Sequence, residues 1–152
     1  MTTQTSAAAR NALAAEEAPR RGLLTAAATT AAVATAANLA IWALTDALVD
    51  VPERFTPLQP GSVAFMTILG VALAAGFLRL LAGRSSRPAE TFRRIVPVAL
   101  VVSLIPDVLI WASGAYDGAA EAQTVLPLMA MHVVAAAASW LLLPSSLPRA
   151  KS

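Results

Sequence analysis

The sequence predicts an all-α integral membrane protein, a bundle of four antiparallel transmembrane helices with both termini on the cytoplasmic side. Three observations carry this reading. The 152-residue chain is 57% hydrophobic and only 13% charged, whereas soluble domains carry roughly 25% charged residues. Four windows, Gly22 to Thr45, Phe55 to Leu78, Ile95 to Tyr116 and Ala122 to Pro148, contain no charged residue except Asp107, and each supplies the roughly 20 residues a helix needs to cross about 30 Å of hydrocarbon. Ten of the eleven basic residues fall in three segments: Arg10, Arg20 and Arg21, then Arg79, Arg84, Arg87, Arg93 and Arg94, then Arg149 and Lys151. Four crossings put those segments on one face, which the positive-inside rule makes cytoplasmic.

In order, residues 1–21 read as a polar cytoplasmic tail and 22–148 as the four-helix transmembrane domain, with 149–152 closing the chain as a second tail. The spans are expected over about 22–48, 62–81, 95–114 and 124–143. Arg20-Arg21 followed by Leu23, Leu24 and small residues near Ala34 also suits an export signal. The apolar run continues through Trp42 to Leu48, longer than such a signal's core, so a retained first span is the better reading. The first connection holds Pro52, Pro57 and Pro60, which oppose a continued helix, and Ser62 suits the N-cap of the second span. Gly83, Ser85, Ser86 and Pro88 mark a turn, Gly114 ends the third span, and Pro127 falls in the first turn of the fourth, where it costs little. Asp46, Asp50, Glu53, Asp117 and Glu121 give the outer side an acidic mouth. There is no internal repeat of the kind that builds inverted-repeat transporters.

Composition excludes several functions. Without cysteine there are no disulfides, thiolate metal sites or thiol redox chemistry, and a single histidine excludes a histidine cluster. The arginines flank spans and so are expected to serve topology rather than to form a lipid or nucleic-acid patch. A haem held by His132 and a methionine, or a Ser103 or Ser139 nucleophile with His132 as base, lacks the further residues such sites need. No catalytic residue, metal site or cofactor is therefore assigned.

The remaining signal is polar residues inside the spans. Asn38, Asp107 and His132 all lie roughly 12–15 Å below the outer face by helical rise, near the midplane, with Thr67 somewhat higher. Ser103, Asp107 and Trp111 fall on one stripe, Thr35, Asn38, Trp42 and Thr45 on another, and Met129, His132, Ala136 and Ser139 on a third. One polar seam is expected through the bundle, with Asp46 and Gln59 at its outer mouth. Gly70 and Ala74 would let helices approach closely. A charged Asp107 costs about 2.5–3.5 kcal/mol at a helix centre, so it should face the bundle, with His132 as its partner within about 6 Å. Pro106 frees the carbonyl near Val102 and kinks the span. Three functions remain open: a site for a proton, ion or small polar ligand, a lock or partner-associating subunit in which the same residues only hold the helices together, and, as a distant third, a membrane enzyme.

The run Leu128-Met129-Ala130-Met131-His132-Val133-Val134-Ala135-Ala136, the segment Ser103-Leu104-Ile105-Pro106-Asp107, and Asn38 resemble a family of small actinobacterial four-span membrane proteins of unknown function, number 6069, over about Gly22 to Leu143. The resemblance implies the same architecture and singles out Asn38, Asp107 and His132, but implies no activity. The expected protein is an uncharacterised, non-enzymatic, multi-pass protein of a bacterial cytoplasmic membrane, an alanine- and arginine-rich composition suiting a GC-rich genome. Its expected partner is the lipid bilayer, with a membrane protein or a second copy as further candidates.

Overall fold

The computed structural model describes residues 3–147, with side chains from Arg21 to Leu147, and every regular element in that range is helical. Helix α1 runs Thr3–Val49, α2 Pro60–Arg84, α3 Pro88–Ser103, α4 Ile105–Ser113 and α5 Ala122–Leu142, with single 3-10 turns at Thr56–Leu58 and Leu143–Ser146. Four helical stretches, Arg21–Val49, Pro60–Arg84, Pro88–Ser113 and Ala122–Ser146, are long and apolar enough to cross a membrane. The helix of the first span extends back through the segment read as a tail, whose side chains lie outside the described residues, as do residues 149–152.

Local chemistry explains most boundaries. Pro60 and Pro88 open α2 and α3, where the missing amide costs nothing and the fixed φ suits a helix. The expected Ser62 cap is corrected to Gln59, because proline at position 60 starts the helix two residues earlier. Gly114, at φ +62°, closes α4 in the left-handed conformation that glycine adopts without strain. The fourth span also begins earlier than expected, at Ala122, which moves Pro127 from the first turn into the helix interior. The third span is two helices meeting at Leu104, whose amide is shared between the carbonyls of Leu100 at 3.2 Å and Val101 at 3.3 Å. Pro106 has no amide to give the carbonyl of Val102, and the helical ladder breaks there.

Two apolar clusters sit at opposite ends. Phe55 and Leu58 of the first connection and Ala119 and Ala120 of the third fold inward, packing with Val63, Val125, Leu128 and Met131. Tyr116, held at φ +61°, sets its ring edge-on to Phe55 at 5.3 Å. At the arginine-rich end Ala75, Leu78, Phe92 and Leu143 form the second cluster. α1 contacts both α2 and α5, whereas the third span lies at the margin and buries only Phe92 and Asp107. Many of its large apolar side chains, Val98, Val101 and Leu109 among them, are exposed, as a span facing hydrocarbon requires.

Candidate functional site

Asn38, Thr67 and Asp107, the buried polar residues that reach across helices, form two nodes rather than one seam. The first joins three helices. Asn38 on α1, 2% exposed, donates from Nδ2 to Thr67 Oγ1 on α2 at 2.9 Å and to the Met131 carbonyl on α5 at 3.3 Å. Thr67 spends its own hydrogen on the Val63 carbonyl at 2.7 Å, so its oxygen accepts. Both neighbours being acceptors, the amide nitrogen must face them, and Oδ1 turns away, buried and without a partner. Thr35 Oγ1 and Trp42 Nε1, on the same stripe of α1, are also buried and unpaired.

The second node hangs on the next residue of α5. Asp107 Oδ2 lies 3.2 Å from His132 Nδ1, the carboxylate side chain being 4% exposed and the imidazole 34%. The same nitrogen lies 3.0 Å from the Leu128 carbonyl. A carbonyl only accepts, so Nδ1 carries a hydrogen in this arrangement and points it at Leu128. Oδ2 is thus within ion-pair range of the ring but outside hydrogen-bonding geometry, a buried oxygen with no directed bond.

Other expected members lie elsewhere. Ser103 is half-buried on the far side of the Leu104 break and donates to its own helix at the Leu100 carbonyl, 2.7 Å away. Trp111, one turn beyond Asp107 on the same helix α4, is 45% exposed and joins neither node. Gly70 faces open space, since a Cβ there would meet nothing within 4 Å, so it mediates no close approach. Asp46 and Gln59 tie down the first connection, Asp46 Oδ1 accepting from the Val51 amide and Gln59 Nε2 donating to the Pro52 carbonyl, each at 3.2 Å.

A contact outside both nodes also has a signal in the sequence. Trp140 Nε1 donates to the Arg93 carbonyl at 3.1 Å, and that carbonyl is the one Pro97, four residues on, leaves without a helical partner.

Chemically, the arrangement is small. Among the described residues no three of His, Cys, Asp or Glu come together, so a metal ion at the second node would meet two side chains. Two grooves run along α1, one past Thr35 and Ile68 and the other past Thr29 and Ser145, and neither is lined by Asn38, Asp107 or His132.

Four apolar helices with polar groups turned inward define a multi-pass membrane protein of uncharacterised function. Within that class the chain belongs to the family of unknown function DUF6069, whose model matches residues 17–149. No curated protein and no solved structure matches it.

Proposed function

We propose that this is a non-enzymatic binding or accessory protein of the bacterial cytoplasmic membrane, and that its Asp107–His132 pair is a proton-binding site. The reading rests on one observation: a buried carboxylate oxygen lies 3.2 Å from an imidazole nitrogen that already faces a second acceptor. A proton is the ligand that fits, because it needs no pocket and no third side chain, and because an intramembrane carboxylate beside a histidine is a recurrent element of proton relays. Asn38, Thr67 and Ser103 support the helices around it, and Asp46 and Gln59 shape the outer connection. The arginine distribution orients the four antiparallel spans with both termini in the cytoplasm. Burial of Thr30, Ala34, Asn38 and Thr45 supports a first span that is retained.

A specific observation favours a second reading, the lock. Asp107 is one of only two buried residues in the third span, so its approach to His132 also holds α4 against α5. The two readings separate by proton uptake measured with a pH indicator on purified protein in detergent, for the wild type and Asp107→Asn. The proton-site reading expects a folded Asp107→Asn protein that takes up fewer protons across the histidine range. Equal uptake by a folded Asp107→Asn protein overturns it. An Asp107→Asn protein that fails to fold, while Asp107→Leu/His132→Phe folds, assigns the pair to the lock.

A further inference from the structure

We infer that the arginine-rich end of α2 and α3 is a binding surface for anionic phospholipid headgroups, with Arg79 and Arg93 at the depth of the lipid phosphate. The inference is independent of the proton site.

The segment Arg79 to Arg94 carries five arginines and one glutamate. Glu90 is shared by Arg87, at 3.5 Å, and Arg94, both of which are strongly exposed. Arg79, Arg84 and Arg93 are exposed. Three guanidinium groups at this end of the hairpin are thus left without a carboxylate partner among the described residues.

Their depth follows from packing. The rings of Phe77 and Phe92 are 6.5 Å apart, and Leu78 and Phe92 share one buried cluster, which fixes the register of α2 against α3. Arg79 and Arg93, one residue beyond Leu78 and Phe92, therefore stand at nearly one level. Each is about six residues, or about 9 Å, along its helix from the Ser85–Arg87 turn. At that depth a long side chain reaches outward along the helix to the headgroup layer.

Arg93 is also held in place. Its guanidinium carbon lies 5.3 Å from the centre of the Trp140 ring, and the Trp140 indole donates to the Arg93 carbonyl at 3.1 Å. Trp140 is 38% exposed, as suits an indole at a membrane interface, and stacking occupies a face of the guanidinium while leaving its edge donors free. An edge-on guanidinium recognises a phosphate oxygen pair. A lipid phosphodiester is the anion that lies at this depth, and charge complementarity selects a headgroup with net negative charge over a zwitterionic one.

The test is electron paramagnetic resonance on the full chain in phosphatidylcholine vesicles, comparing spin-labelled phosphatidylglycerol with spin-labelled phosphatidylcholine as the motionally restricted lipid. The wild type should prefer phosphatidylglycerol, and the preference should fall as salt is raised. Each arginine is worth roughly a fivefold preference, so Arg79→Gln/Arg93→Gln should lose on the order of 20-fold. Arg79→Lys/Arg93→Lys, which keeps the charge, should retain part of it. Arg79→Gln/Arg84→Gln leaves the Trp140 contact intact and should still lose preference, which covers a failure of the Arg93 variant to fold. Equal association of the two lipids with the wild type overturns the inference, as does a preference unchanged in both glutamine variants. Displacement of labelled phosphatidylglycerol by millimolar glycerol 3-phosphate would instead assign the surface to a soluble phosphate and sink the lipid reading.

Discussion

Asn38 and Thr67 form the hydrogen bond that ties the first span to the second at the level where neither helix can turn to water, with Nδ2 and Oγ1 2.9 Å apart. The same amide reaches the Met131 carbonyl, so one side chain joins three spans. Interhelical hydrogen bonds in membranes average about 0.6 kcal/mol and reach about 1.7. Asn38→Leu should therefore cost about 1–2 kcal/mol in reversible unfolding by denaturing detergent. Asn38→Asp should cost more, because a carboxylate only accepts and would face two acceptors; protonation restores one donor, so its deficit should be larger at about pH 8 than at about pH 5. An Asn38→Asp protein as stable as the wild type at both would show that the amide nitrogen does not face Thr67 and Met131.

Trp140 takes the role of a missing backbone donor. Pro97 removes the amide that would bond the Arg93 carbonyl, and the indole donates to that oxygen from α5. Trp140→Phe should cost about 1 kcal/mol while keeping most of the ring contact. In a Pro97→Ala background, where the backbone at position 97 regains an amide for the same carbonyl, that cost should shrink, giving a coupling of at least about 0.5 kcal/mol in a double-mutant cycle. Additive effects would mean that the indole bond is not a replacement for the helical one.

The number of spans, their inward polar residues and the break around Pro106 are legible in the sequence because each depends on chemistry local to one helix. Hydropathy marks the spans, proline marks the break, and the cost of a charge in hydrocarbon turns Asp107 inward toward His132. The relations that the sequence leaves hidden depend on how helices rotate about their axes. In a span that is apolar all round, periodicity places Asn38 on a stripe but does not say which neighbour the stripe meets. Asn38 and Asp107 consequently look like members of one seam, whereas they engage Met131 and His132, adjacent residues that point from α5 in different directions. The burial of Phe55 and Leu58 within a proline-rich connection is of the same kind: it is created by the third connection folding against the first.

The third span is interrupted just before Pro106. Leu104 shares its amide between two carbonyls where α3 gives way to α4, and Asp107 is the one buried residue of α4. Pro106→Ala supplies an amide to the Val102 carbonyl and favours a continuous helix from Pro88 to Ser113, because proline is the costliest residue in a helix interior. A straightened helix carries Asp107 away from His132. The coupling between Asp107→Asn and His132→Gln should be about 0.5–3 kcal/mol in the native sequence, as for contacting residues, and should fall toward zero in the Pro106→Ala background. Unfolding of the four proteins of the cycle in each background measures it. A coupling that survives intact in Pro106→Ala would show that the pair forms without the break, and that α5 rather than Pro106 sets the position of Asp107.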